Sequence, residues 1–446
     1  MLFAIILLGV VLIVFATAVL KVHPFISLIV AAFFVGIAAG LPLTEVVRFV
    51  NEGFGGLMTS IGLVIVAGTI IGVILEKSGA AYRMAEVVLR LIGEKRPQLA
   101  MSLIGYIVSI PVFCDSGYVI LSSLKKALAK RAKVAVASMA IALATGLFAT
   151  HTLVPPTPGP IAAAGNIGAA DYLGTIILVG LLISIPAVLV GYIWAIKIGP
   201  KIQVEEDLEA LDYDEIISTF GKMPSAFKSF LPLVVPIALI AMGSIATALG
   251  GEGGVTSFFQ FLGAPTVALF LGVFAALPLL PSYDNETLTG WVGDGLKEAA
   301  PILLITGAGG AFGTVIRNTG VADQLQAMDL SAFGTGALFL IVPFLIAAAL
   351  KTAQGSSTTA LVITSTLVAP LVVELGITGG VPLALVVMAI GAGAMTVSHV
   401  NDSFFWVVTE FSGMKVTDAY KAMTMSTLLM GITTIVVTMV AWVIFV

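Results

Sequence analysis

Residues 97–124 read PQLAMSLIGYIVSIPVFCDSGYVILSSL, and their setting decides the fold. On one side stand Lys77, Arg83, Arg90, Lys95 and Arg96; on the other stand Lys125, Lys126, Lys130, Arg131 and Lys133. Cytoplasmic loops of membrane proteins carry an excess of Lys and Arg. A single crossing between the two clusters would strand one of them on the wrong face, whereas a hairpin that enters and leaves on the cytoplasmic side keeps both in place. Its turn is written at Pro111 and at Phe113-Cys114-Asp115-Ser116-Gly117. Proline and glycine interrupt a helix there, and irregular backbone at membrane depth is tolerated only inside protein or beside a water-filled cavity.

The rest of the chain supplies the membrane spans. Of 446 residues, 59% are hydrophobic and 10% charged, against about 25% charged in a soluble domain. Leu2 to Leu20, Phe25 to Leu41, Leu57 to Leu75, Tyr172 to Ile198, Phe230 to Leu249, Pro265 to Leu280 and Met423 to Val446 are apolar stretches, near the roughly 20 residues that cross a bilayer. The first has Lys21 after it and no basic residue before it, so a span is expected rather than a cleaved signal. The single cysteine, Cys114, excludes an internal disulfide. Nothing suggests a nucleic-acid partner, a cofactor or a metal.

The sequence also repeats itself. Shifted by 241 residues, Pro24 falls on Pro265, Glu45 on Glu286, Ile61 on Ile302, Gly68 on Gly309, Gly72 on Gly313, Gly79 on Gly320 and Ser116 on Ser357. Extra residues near Gly376 to Gly380 raise the offset to 248, which places His151 on His399. Internal repeats are a hallmark of secondary transporters. The expected fold is an all-α polytopic membrane protein of two repeats, each with five spans, a re-entrant hairpin and a broken helix. An odd number of spans inverts the second copy and puts both chain termini outside. In that arrangement only Arg48, Arg317 and Lys351, 3 of the 21 Lys and Arg, lie away from the cytoplasmic side. Lys351 is the only lysine expected to be buried.

Repeat 1 is expected over 1–198, with spans 1–76, an amphipathic interfacial helix 80–93, hairpin 97–124, broken helix 134–165 and span 172–198. A cytoplasmic connector follows at 199–228. Repeat 2 covers 229–446, with spans over 229–317, hairpin 334–370, broken helix 381–412 and span 420–446. The second hairpin turns at Gln354-Gly355-Ser356-Ser357-Thr358-Thr359. The broken helices are interrupted at Thr150-His151-Thr152-Leu153-Val154-Pro155-Pro156-Thr157-Pro158-Gly159-Pro160 and at Ser398-His399-Val400-Asn401-Asp402-Ser403. Half-helix N-termini attract anionic groups and freed carbonyls suit cations, so two tips and two breaks describe one central site.

Asp115 is the leading candidate for ion coupling, because an ionisable group at membrane depth is costly and points to function. The alternative is a helix cap. His151 suits proton relay or hydrogen bonding to a polyhydroxy solute, as does its matched partner His399. Asp402 beside Asn401 suits a cation or a hydroxyl, or caps a helix. Lys351 offers a charge for a substrate carboxylate or for an acidic neighbour, or snorkels to the interface. Ser116, Thr152, Ser356, Ser357, Thr358 and Asn401 offer neutral donors and acceptors, although Ser and Thr also satisfy their own helices.

The hairpin Phe113 to Gly117, the run from His151 to Pro160 with its Pro-Pro-x-Pro-Gly-Pro ending, and Gln354-Gly355-Ser356-Ser357-Thr358 resemble the gluconate:proton symporter (GntP) family over essentially the whole chain. The resemblance implies sugar-acid or related hydroxy-acid uptake coupled to H+ within the ion transporter superfamily. There, homodimers move a transport domain against a scaffold in the manner of an elevator. The implied location is a bacterial inner membrane. The family's gluconate members carry a glutamate where this chain has Asp115, a shorter acid that alters the pocket. The runner-up is Na+-coupled di- or tricarboxylate uptake on the same architecture. An intramembrane enzyme is remote, because the chain lacks spacings such as His-Glu-x-x-His.

Overall fold

The computed structural model describes residues 2–93, 96–202, 204, 223–248, 253–320, 336–400 and 402–446. These residues are helical apart from their connections, and one isolated bridge joins Val204 to Met414. The first half contains α1 (Leu2–Val14), α2 (Pro24–Ala38), α3 (Leu43–Leu57), α4 (Leu63–Lys77), α5 (Ala80–Ile92), α6 (Pro97–Val108), α7 (Cys114–Ala132), α8 (Val136–Leu153), α9 (Pro158–Asn166) and α10 (Leu173–Ile198). The second contains α11 (Ala226–Ala248), α12 (Gly254–Gly263), α13 (Pro265–Ala276), α14 (Asn285–Asn318), α15 (Ile341–Gln354), α16 (Ser357–Glu374), α17 (Gly380–Met395), α18 (Ser403–Phe411), α19 (Val416–Ala419) and α20 (Met425–Phe445).

Local chemistry sets these boundaries. Pro24, Pro97, Pro158 and Pro265 each open a helix, where a missing N–H costs nothing. Gly355, at φ +90°, ends α15 in the left-handed conformation that glycine adopts without strain. α8 stops ahead of Pro155-Pro156, the one cis peptide among the described residues. Among the described residues, eight helical stretches are long and apolar enough to cross a membrane, nine if the pair α12 and α13, bent by 66°, counts as one. α2, α6 and α17 are apolar but shorter.

The helices pack as two groups. α14 lies against α2, α3 and α4, α13 against α4 and α11, and α12 against α11. In the other group α6 packs on α8, α15 on α17, and α10 on α8, α17 and α20. The groups meet where α9 touches α4, α16 touches α14, and α10 and α5 touch α11. Glycines set that seam. A Cβ on Gly72 would lie 2.6 Å from the Pro111 carbonyl and one on Gly68 3.0 Å from that of Pro156, so α4 seats both interruptions of the first half. Their counterparts at the 241 offset, Gly309 and Gly313, press on Thr366 of α16, each with a virtual Cβ 3.0 Å away.

Several sequence expectations change in detail. Helix α7 runs past 124 to Ala132, because Lys125 to Arg131 are good helix formers that continue the turn. The interval 229–280 holds three helices rather than two spans. The additional one, α12, sits close on α11, where Gly263 lies under Gly243 and a Cβ would come within 2.7 Å. Helix α5 is buried along most of its length against α6 and α11, with Arg90 and Leu91 outward. Most of the connector 199–228 and the start of hairpin 334–370 lie outside the described residues.

Candidate functional site

Each hairpin's second helix lies along the short half of the other half-chain's broken helix: α7 packs on α18 and α16 on α9. The two tips and two breaks thereby converge. Asn166 of α9 donates to Val362 O (3.2 Å) and Ser365 Oγ (2.9 Å) of α16.

At the second tip and break, the charges are consumed by one another. The Lys351 ammonium is fully buried and sits 2.5 Å from Asp402 Oδ2. It also donates to the Gly355 carbonyl at the tip. Ser398 Oγ donates to Asp402 Oδ2 at 2.5 Å, and Asp402 Oδ1 accepts from Phe404 N at 3.1 Å, capping α18. The ammonium lies over the ring of Phe148, 5.4 Å from its centroid, and Phe148 stacks on Phe404 at 5.3 Å. Lys351 is therefore neither a snorkelling residue nor a free cation. Asp402 is both its partner and a cap.

At the first tip and break, polar atoms are left over. Asp115 lies in the first turn of α7, whose N-cap is Phe113 with no side-chain cap bond, so the aspartate does not act as the cap. Its Oδ2 faces the Cys114 thiol at 3.7 Å, and Ser403 lies alongside the carboxylate. Asp115 Oδ1 is buried without a partner. His151 is buried in the last turn of α8, its ring 5.9 Å from that of Phe113, and its Nδ1 is likewise unpartnered. At the second tip, Ser357 Oγ in the first turn of α16 is also buried without a partner. Asp115 and His151 both lie within electrostatic reach of Lys351 and Asp402.

The remaining candidates divide. Ser116 approaches the Glu76 carboxylate of α4. Ser356 accepts from Thr359 N at 3.2 Å and caps α16. Thr152 bonds back to Phe148 O at 3.0 Å in its own helix, and Thr358 sits at the crossing with Gly159. His399 does not mirror His151. Helix α17 ends at Met395, so His399 lies in the break, half-buried, with Nε2 2.9 Å from Thr352 O. Asn401 lies outside the described residues. Among the described residues, no group of His, Cys, Asp and Glu is arranged to hold a metal.

The sequence reading missed Ser398, Ser403, the aromatic pair Phe148 and Phe404, and Lys125. The last was assigned to the exposed basic cluster, yet its side chain is fully buried, so Lys351 is not the only buried lysine. A polar stripe at Asp115, Tyr118, Ser122 and Lys125, with helical spacing on a hairpin limb, was the available signal.

The sequence profile described as GntP family permease matches residues 1–444. The inner membrane permease YgbN of Escherichia coli is 34% identical, over 95% of this chain and 94% of that protein. A gluconate permease of Pseudomonas aeruginosa is 31% identical over 91% and 89%. The Escherichia coli D-serine transporter DsdX is 32% identical over 96% and 95%. The structure of Neisseria gonorrhoeae MtrF, described with a class of antimetabolite efflux pumps, superposes with a TM-score of 0.70 over 97% of both chains. Its 16% identity makes that a likeness of fold alone. With a profile match across nearly all its length and transporters as its relatives, the chain is a multi-pass membrane transporter rather than an enzyme and belongs to the GntP family of permeases.

Proposed function

We propose that this permease is a secondary active transporter for proton-coupled uptake of gluconate or a related small hydroxy-carboxylate across a bacterial inner membrane. The carrying observation is the set of buried polar atoms without partners: Asp115 Oδ1, His151 Nδ1 and Ser357 Oγ. A buried unsatisfied group costs about 1–3 kcal/mol. A polyhydroxy acid offers donors and acceptors that relieve it. A proton on Asp115 removes the like charge that repels an incoming carboxylate, which ties solute binding to proton binding. Gluconate permeases among the relatives support this class, and so does a D-serine transporter, because D-serine is also a small carboxylate bearing a hydroxyl.

In this reading α1 to α4 with α11 to α14 form the scaffold, and the hairpins with the broken helices move against it. The halves are inverted copies, both termini face outward, the connector is cytoplasmic, and two chains assemble as a homodimer. Support comes from helix boundaries that recur at the repeat offset, 43–77 against 285–318, and from glycine-lined contacts at matched positions. Sodium coupling is the second reading, favoured by unwound backbone at 396–400, whose carbonyls suit a cation. Uptake into proteoliposomes under an imposed pH gradient tests the proposal, with sodium replaced by choline. Accumulation that ignores the pH gradient and requires sodium overturns proton coupling. A thermal-shift screen of sugar acids, hydroxy acids and D-serine at several pH values tests the solute class, and indifference to all of them rejects it.

A further inference from the structure

Lys125 has no part in the solute site as described above, yet it is among the most thoroughly enclosed charges in the protein. Its side chain has no exposed surface. The ammonium has three N–H groups and makes three hydrogen bonds: to Tyr118 Oη (3.1 Å), the Phe411 carbonyl (3.1 Å) and Ser412 Oγ (2.8 Å). It also stands 4.6 Å from the centroid of the Tyr118 ring. Tyr118 Oη and Ser412 Oγ are 2.6 Å apart, and Ser122 Oγ reaches the Phe411 carbonyl at 3.1 Å. Tyr118, Ser122 and Lys125 thus form a clasp on one face of α7, closed around the C-terminal end of α18. The free carbonyls of a helix C-terminus favour a cation there.

Burying an ammonium is costly, and an apolar seam would hold two helices together with less penalty. A polar clasp does what an apolar seam cannot: it specifies one register. That register has a consequence at the other end of the same pair. Asp115 lies on the same face of α7, and Ser403, which opens α18, lies alongside it. Tyr118 links the two ends, since its ring meets Phe404 edge-on at 6.0 Å. At the N-terminus of α18 the other buried lysine, Lys351, holds Asp402. The nine-residue α18 is therefore pinned at each end by a buried lysine from a different hairpin. At the 241 offset Tyr118, Ser122 and Lys125 become Thr359, Ile363 and Thr366, so the second half has no equivalent clasp.

We infer that Lys125 is a positioning residue for transport: by fixing the far end of α18 it sets Ser403 against Asp115 and keeps Cys114 and Asp115 enclosed. The inference rests on the transport reading of the Asp115 site, but its test does not need the solute. Cys114 is the only cysteine and is buried beside Asp115, so its modification by a maleimide reports the tip directly in the full-length protein in nanodiscs.

Three variants are compared for thermal stability, Cys114 labelling rate and the pH profile of uptake: K125M, K125R, and K125M/S412V, which removes the clasp's charge and the Ser412 hydroxyl and leaves the Ser122 bond to Phe411. The expected result is at least about tenfold faster Cys114 labelling in K125M/S412V at near wild-type stability, with a displaced pH profile. K125R should return both toward wild type. If K125M fails to fold, the double variant and K125R carry the test unchanged. Wild-type labelling and pH profile in a stable K125M/S412V would reduce Lys125 to a structural residue and overturn the inference. Faster labelling in a protein that transports no sugar acid leaves the inference standing and removes the solute assignment alone.

Discussion

At the second tip and break, Lys351, Gly355, Ser398 and Asp402 close on one another through short hydrogen bonds, and Ser356 and Asp402 cap the helices that follow. At the first, Asp115 and His151 keep unpaired atoms, and neither α7 nor α9 has a side-chain cap. The two regions align by sequence and differ in how their ionisable groups are satisfied: at the second tip the unpartnered atom is the neutral Ser357 Oγ, at the first they belong to Asp115 and His151. A fully satisfied polar network is rigid, and a partly satisfied one is kept for something that arrives. Under the proposed function, the second half supplies a fixed counter-charge and anchor, and the first is where solute and proton would be taken up.

The comparison is most severely tested by breaking the anchor. Lys351→Met should destabilise the protein by about 3–5 kcal/mol, because it leaves Asp402 buried and unpaired. The double change K351M/D402N should recover most of that loss, measured by unfolding in nanodiscs. A double variant no more stable than the single one would show that the pair is not the unit.

Asp115→Asn should act in the opposite sense. We expect gradient-driven accumulation to fall at least about tenfold, equivalent to about 1.4 kcal/mol. Stability should move by less than about 1 kcal/mol, since the atom altered has no partner to lose. Full accumulation by this variant in proteoliposomes removes the proton-carrying role.

The two histidines sharpen the contrast further. His151→Gln should weaken solute binding about tenfold, the worth of one buried hydrogen bond of about 1.5 kcal/mol. His399→Gln, whose ring meets a backbone carbonyl, should stay within about twofold, in the range of exposed substitutions. Equal effects in titration calorimetry would restore the symmetry the sequence suggested. Smaller effects are expected at two serines: Ser356→Ala should cost about 1 kcal/mol through the lost α16 cap, and Ser116→Ala, at a residue that caps no helix, less than about 0.5 kcal/mol of stability, both read from thermal unfolding.

Much of this was legible in the chain. Pro111, Pro155 and Pro156 lie between helices and Gly355 ends one in the left-handed conformation, so the tips and breaks fall near where the sequence places them, although Gly117 continues α7 and Pro158 opens α9. The matched glycines at 68 and 309, and at 72 and 313, anticipate a shared role and meet hairpin or break residues in both halves. Of the residues that the sequence singles out, Asp115 and His151 lie within electrostatic reach of the Lys351–Asp402 pair. Their partnerships were not legible. His151 and His399 occupy matched positions, yet α8 reaches beyond His151 while α17 stops before His399, because prolines end one helix and the other unwinds without them.

The membrane nature and the interruptions are local properties, carried by residue type and spacing, and the sequence alone determined them. Which charge is spent and which is left free depends on approaches between residues far apart in the chain: Lys351 with Asp402, Lys125 with Ser412, Asp115 with Ser403. Only the tertiary structure decided those. A buried ammonium becomes an anchor, a cap or a ligand according to the oxygen 3 Å away, and no spacing rule within one helix names an oxygen that another helix supplies.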